Sequence, residues 1–393
     1  MCYKTTAILH KNCPIGHLWR QSSLRNLLQN DRRTSKPLIT GPFTSTKRRT
    51  RHSHKTMASS VDGALFYDLA SLAKALVTAP MALEHLDLDY DRREQLGYTG
   101  EFARAEPLTV RMLLSHQTGL PPWLPYNPSS SVPELVGRFD KYGAHDLLRA
   151  GIIGTSTYSD LNFRTLGELL SMELGKAYQE LTAVKGLSHQ PWHGLSAPVF
   201  IPDGPDKDTW EIAAPDGLAS YPARQPYLPH DANSRAGMLG HAGFGANCAQ
   251  FKKCLEDWLA GGWPQKQAVK QSVAEDGFTE WGLGLLRVMD GQGKYGEALL
   301  RLEAEGKLSA GVHVVEETTT ELATQEVPLN TEKGAEGKVT SWWMHTGFTG
   351  PIVFVQPEKG IVVGLLMHRR GPEGELIDIH KRRARAYNMF KSL

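Results

Sequence analysis

Three short runs near the C-terminus constrain this chain most. Thr340–Met344, Ile352–Gln356 and Ile361–Met367 are dense in β-branched and aromatic residues, and Pro357-Glu358-Lys359-Gly360 reads as a hairpin turn between the last two. Trp342 and Trp343 would alternate between the two faces of the first run. Trp281–Met289 and Gly311–Glu317 also read as strands, and residues 318–339 as a polar exposed loop. A basic amphipathic helix, Glu375–Phe390, closes the chain.

The upstream half has helical periodicity instead. Leu69, Leu72, Leu76, Leu83 and Leu86 place a buried helix over 69–86, which Pro80 should kink or divide. Thr109 is a suitable N-cap for Val110–His116, stopped by Gly119 and Pro121-Pro122. Leu161–Leu174 is a further amphipathic helix ended by Gly175, and Cys248–Leu259 another, after the glycine-rich turn Gly240–Gly245. Residues 185–235 are a long, proline-rich irregular connection. Helices followed by an antiparallel meander and a terminal helix predict an α+β fold, with a helical and irregular subdomain over about 87–239 and a sheet closed by 240–393.

The 393 residues suffice for a sizeable core, and 40% hydrophobic with 22% charged residues is ordinary for a soluble globular protein. No apolar run reaches the roughly 18 residues of a membrane span. Cys2, Cys13, Cys248 and Cys254 are too few for a disulfide framework and lack metal-ligand spacing, so a reducing compartment is the default. The formal charge of +2 conceals an asymmetry: residues 1–56 hold twelve Lys/Arg and one acid, Asp31, leaving a clear excess of acids in the remainder. Residues 1–60 therefore read as a basic disordered leader, either dispensable, with Met57 as an alternative start, or a mitochondrial presequence; otherwise the protein is expected in the cytoplasm. Nucleic-acid binding through Lys47-Arg48-Arg49-Thr50-Arg51 lacks interleaved aromatics.

Ser71-Leu72-Ala73-Lys74 carries the chemistry. A serine three residues before a lysine on a helix puts hydroxyl and amine on one face, and a desolvated lysine can activate a serine nucleophile. About one S-x-x-K arises by chance in a chain this long, so its companions matter. Tyr158-Ser159-Asp160 presents a phenol at a loop–helix junction, and His345-Thr346-Gly347 ends a strand before Phe348-Thr349-Gly350. Ser71 would attack an acyl carbonyl. Lys74, half-buried and neutral, would accept its proton, and Tyr158 would relay that proton to the leaving group and later activate water. Asp160 reads equally as an N-cap of the following helix or as a substrate contact. His116 and His241 read as structural histidines, and His230-Asp231 lacks a third metal ligand.

S-x-x-K, then Y-x-N, then K-T-G or H-T-G is the ordered signature of the serine β-lactamase and penicillin-binding-protein fold. The chain resembles its class C β-lactamase and esterase branch, the β-lactamase-related serine hydrolases. Further matching runs are Leu108–Pro121, Tyr158–Gly167, Gly240-His241-Ala242-Gly243 and His345–Val355, so the resemblance covers roughly 66–393. It implies a β-lactamase/transpeptidase-like domain over 61–393 and an oxyanion hole from the backbone N–H groups of Ser71 and Phe348. It also implies that His345, with Thr346 and Gly347, orients the substrate where relatives have lysine. Metal and organic cofactors are not needed.

Two departures from that pattern stand out. Asp160 occupies a position where relatives carry Asn; its charge would raise the proton affinity of Lys74 or repel an anionic substrate, and Asn162 lies two positions further on. The helix and strand pair that usually precede the S-x-x-K helix are missing, which should leave a sheet edge exposed. These features favour a hydrolase of a small neutral ester or amide, more esterase than β-lactamase or D-peptidase. The rival reading is an impaired binding or scaffold protein.

Overall fold

Burial on both faces organises this fold. Two interior strands, Ile352–Gln356 and Ile361–Leu366, are buried at every position, so the sheet they belong to needs a layer of helices on each side. The computed structural model describes residues 60–61, 64–97, 107–120, 122, 155–183, 195, 231–235, 240–274, 279–289, 295–316, 339–367, 386–390 and 393. The chain divides into two units, Met1–His54 and Lys55–Leu393, and every described residue belongs to the second. The expected leader, apart from Ser60, lies outside the described residues. So do Cys2, Cys13, His230, the 318–338 stretch and residues 375–385 of the expected terminal helix.

In chain order the strands are β1 (Ser60–Val61), β2 (Ala64–Asp68), β3 (Thr155–Ser156), β4 (Gly245–Asn247), β5 (Ser272–Ala274), β6 (Glu280–Trp281), β7 (Leu286–Met289), β8 (Gly311–Glu316), β9 (Val339–Thr346), β10 (Ile352–Gln356) and β11 (Ile361–Leu366). The helices are α1 (Ala79–His85), which continues a π-helical turn over Lys74–Thr78, then α2 (Val110–Leu114), α3 (Asp160–Leu174), α4 (Tyr178–Ala183), α5 (Ala232–Arg235), α6 (Cys248–Ala260), α7 (Trp263–Gln267) and α8 (Tyr295–Ala304). Strands β3-β5-β6-β7-β9-β10-β11-β8 form one sheet in that order, and β1-β2-β4 a small second one.

The large sheet separates two apolar layers. Trp343, Val353, Val355 and Val362 pack on one side with the π-helical turn and the α3 and α6 helices, through Leu76, Leu166, Phe251 and Trp258. Trp342, Ile352, Phe354 and Val363 face the other side, under Tyr295 and Leu299 of α8 and Met389 and Phe390. The paired tryptophans thus alternate across β9, as pleating requires.

Several boundaries differ from the sequence reading, each for a local reason. The helix expected from 69 starts at 72, because Ala70 takes a left-handed φ of 44° and its N–H is held by Asp68 Oδ1 at 2.8 Å. Val110–His116 ends early: its N-cap is Thr109 as expected, but His116 turns left-handed at φ 59°. Ser159, not Asp160, caps α3, its hydroxyl accepting from Leu161 N–H at 3.1 Å. Trp281–Met289 is two strands around a turn at Gly282–Leu285.

Among the described residues, the sheet ends at β8. The strand β11 is not left open: β8 pairs with it in parallel from Ile361↔Gly311 to Leu366↔Glu316. The α8 helix and the β8 strand, both from the segment between β7 and β9, cover one face of the sheet and flank β11. The sheet is accordingly mixed rather than purely antiparallel.

Candidate active site

The site begins in the turn between β2 and the helix. Leu69 N–H donates to the Phe244 carbonyl at 2.9 Å, tying this turn to the glycine-rich segment before β4. Leu72, Ala73 and Lys74 then donate to carbonyls three residues back, at 3.0 to 3.1 Å, before the helix widens into its π turn. Pro80 lies in the first turn of α1, where the change from π to α geometry accommodates it. Ser71 is left half-buried at the head of the helix, with Lys74 fully buried one turn below.

Lys74 Nζ donates to Ser71 Oγ at 3.0 Å, and the Tyr158 hydroxyl donates to the same oxygen at 3.0 Å. The lysine also donates to the His241 carbonyl at 2.7 Å and forms an ion pair with Asp160 Oδ1 at 2.7 Å. Its Nζ lies 5.2 Å from the Tyr158 ring centroid and 5.9 Å from that of Phe163. Burial alone would push this amine down, but the carboxylate of Asp160 and the phenol of Tyr158 outweigh it and hold the amine above its ordinary value. The neutral, half-buried lysine expected from sequence is therefore corrected to a fully buried ammonium. Asp160 is not the N-cap; it pairs with Lys74, and its charge raises the lysine's proton affinity. Burial pushes the Tyr158 phenol up despite the adjacent Lys74, so it is a neutral hydroxyl.

The third motif approaches from β9. Thr349 Oγ1 donates to the Asp68 carbonyl at 2.6 Å, and Gly347 N–H to the Pro351 carbonyl at 2.7 Å. A Cβ on Gly347 would stand 2.6 Å from the Leu69 carbonyl oxygen, so only glycine allows this close approach. These contacts fasten the backbone on both sides of Phe348 to the turn that precedes Ser71. The Phe348 side chain is 47% exposed, whereas Thr346 is half-buried. His345 is buried, its Nδ1–H donating to the Thr346 carbonyl at 3.1 Å, with its ring centroid 6.3 Å from that of Tyr158.

Asn162 does not take the place of the missing amide. Its side chain turns away to His116 Nδ1 at 3.0 Å and to the Thr118 hydroxyl at 2.5 Å. His116 Nδ1 also accepts from Ser159 N–H at 3.2 Å, which leaves the proton of the neutral ring on Nε2. Burial, with the charge of Lys74 nearby, keeps His116 well below the usual imidazole range. Its ring packs 4.8 Å from Tyr158 and 4.7 Å, edge-on, from Trp281.

His241 Nε2 meets Asp231 Oδ2 at 3.0 Å. Although burial would raise the Asp231 carboxyl, the histidine and the Ser234 N–H hold it well below the usual carboxylate range. Two contributors escaped the sequence reading. One is the His241 carbonyl, which binds Lys74, and the other is Trp281, which backs Tyr158. Backbone acceptors leave no residue-type signal, and Trp281 looked like any strand aromatic. Among the described residues, no group of three or more His, Cys, Asp or Glu is placed to hold a metal. No helix of theirs is long and apolar enough to cross a membrane.

Helices on both faces of a mixed sheet, with these three motifs at one end, define an α+β domain of β-lactamase/transpeptidase type. The chain belongs to the Beta-lactamase family, whose pattern it matches over residues 46–388. Among solved structures it is similar to a class C β-lactamase in complex with cefoxitin (14% identity, 86% of each chain covered, TM-score 0.46). It is also similar to a β-lactamase from Sulfitobacter sp. EE-36 (15%, 84% of this chain and 83% of that one, TM-score 0.44). A D-alanine carboxypeptidase from Burkholderia cenocepacia matches to the same degree (15%, 86% of each, TM-score 0.44). No curated protein matches.

Proposed function

We propose that this protein is a serine hydrolase that cleaves a small neutral ester through an acyl-enzyme on Ser71. The convergence of Lys74 Nζ and Tyr158 OH on Ser71 Oγ, each at 3.0 Å, carries this reading. The Oγ bonds to the acyl carbon as its proton passes to Lys74 in the fraction of molecules whose amine is neutral. The carbonyl electron pair becomes an oxyanion, held by the N–H groups of Ser71 and Phe348. Collapse breaks the bond to the alkoxide, which takes the proton through Tyr158. Water, deprotonated along the same route, then releases the acid. His345, with Thr346 and Gly347, lines the substrate side.

The negative charge of Asp160 and a histidine in place of a lysine disfavour substrates that carry a carboxylate, as β-lactams do. Incubation with a fluorophosphonate and a short-chain nitrophenyl ester tests the reading. A mass adduct on Ser71 and turnover lost in Ser71→Ala are expected, with weaker hydrolysis of nitrocefin; no adduct and no difference in turnover would overturn it. A second reading, a binding protein with a silent site, is favoured by the Lys74 ammonium. That reading expects no adduct at any pH.

A further inference from the structure

Among the described residues, Lys74 Nζ donates to Ser71 Oγ and the His241 carbonyl, pairs with Asp160 Oδ1, and also interacts with the Tyr158 hydroxyl. Only Asp160 brings a full charge. Its Oδ1 is buried against the amine, while the side chain as a whole is 21% exposed. The carboxylate sits in the first turn of α3. Other titratable groups come from every neighbouring element. Tyr158, before α3, is a neutral phenol, His116, after α2, a neutral ring, and His345, on β9, a buried imidazole. Among the described residues, the one charge that opposes loss of the lysine's proton at contact distance is therefore Asp160.

We propose that Asp160 is a positioning residue that clamps Lys74 as an ammonium, so that Ser71 is poorly activated at neutral pH and gains reactivity as the solution turns alkaline. This rests on the reading above, in which Ser71 attacks and Lys74 takes its proton. An ammonium cannot accept that proton. Lys74 must first release its own to solvent, and the carboxylate at 2.7 Å resists that release. Without the carboxylate, burial of the amine is less opposed and favours the neutral base.

The test is the pH dependence of kcat/KM for an uncharged nitrophenyl ester with the full chain and with Asp160→Asn, Asp160→Glu and Ser71→Ala. Wild type and Asp160→Glu should rise toward alkaline pH without a plateau near neutrality. Asp160→Asn should move its rising limb down by one pH unit or more, gaining about tenfold at pH 7.5. A limb at the same pH in wild type and Asp160→Asn overturns the proposal and leaves the hydrolase reading intact. A folded Asp160→Asn that still forms the Ser71 adduct but does not turn over also overturns it, because Asp160 would then lie on the proton route. Wild-type turnover equal to that of Ser71→Ala at every pH sinks the hydrolase reading and this inference together. Should Asp160→Asn fail to fold, the acylation rate of wild type by a neutral fluorophosphonate decides. A rise of about tenfold per pH unit from 6 to 10 supports the clamp, and a plateau by pH 8 refutes it.

Discussion

The hydroxyl of Thr349 donates to the carbonyl of Asp68 across 2.6 Å, joining residues 281 positions apart. Asp68 in turn holds Ala70 N–H, and Ala70 carries the left-handed backbone just before Ser71. The turn after β9 is therefore part of the support of the nucleophile, and the alignment of the site depends on closure of the sheet.

Gly347→Ala tests that dependence. The added Cβ would meet a backbone oxygen, Leu69 O, at 2.6 Å, and no flexible side chain can move aside. The turn must shift, and a shift on the order of 1 Å costs about a hundredfold in kcat/KM. Thr349→Val removes one hydrogen bond at nearly constant volume and should cost about 1 kcal/mol, with a smaller loss of turnover. Kinetics and denaturant midpoints on both variants check this; equal kinetics for Gly347→Ala and wild type would break the link.

How much of this was legible in the sequence depends on the kind of interaction. The β10–β11 hairpin, α3 and α6 announced themselves through side-chain patterning, and so did Ser71, Lys74, Tyr158 and His345 through motif spacing. The motif spacing alone suggested a neutral Lys74, whereas its protonation follows from Asp160, whose charge was expected to raise the lysine's proton affinity and which a different helix brings beside it. The edge strand β8 was seen as a strand, but its parallel partner β11 was not, since a pairing between distant segments leaves no local signal. The strands β1 and β4 escaped because two or three residues hold too few positions to show a period.

Gln267 is a second support whose removal should be costly. Its buried side chain accepts from Trp258 Nε1–H at 2.7 Å and donates to the carbonyls of Ala75 and Leu283 at 3.0 and 3.3 Å. Ala75 lies in the π turn next to Lys74. Gln267→Leu fills the space but deprives three buried polar groups of these partners, at about 1–3 kcal/mol each before relaxation. A loss of about 3 kcal/mol in unfolding free energy is expected from urea titration. A change under about 0.5 kcal/mol would show that water replaces the amide.

Stability should also fall on mild acidification, through His116. Its folded pKa lies well below the ordinary 6.5, so below 6.5 the unfolded chain binds a proton that the folded one refuses. The contribution is complete above 6.5 and is lost as pH falls from there toward the depressed folded value. Melting temperatures between pH 8 and 5 should decline below 6.5. His116→Asn suits the left-handed φ of 59° and does not titrate, so its profile should be flatter over this window. Parallel profiles would assign the acid sensitivity elsewhere.

The last expectation concerns β8, which takes over the edge of β11. Val312 and Val314 pack against the core layer shared with α6, and Val315 against the layer under α8, so the strand contributes to both faces. Its partner Gly364 has no side chain because Phe251 and Leu255 of α6 come within 2.7 Å of where a Cβ would stand. The helix thus presses directly onto the ladder that β8 completes at Val314. A charge at Val314 would have to stay half-buried beside that contact. Val314→Asp should therefore cost about 2–3 kcal/mol, read from the urea midpoint. Val269→Ser, at a valine that is 50% exposed, should stay within about 0.5 kcal/mol. If Val314→Asp were equally mild, β8 would be an ornament on the sheet, and β11 would not need the cover that this strand gives it.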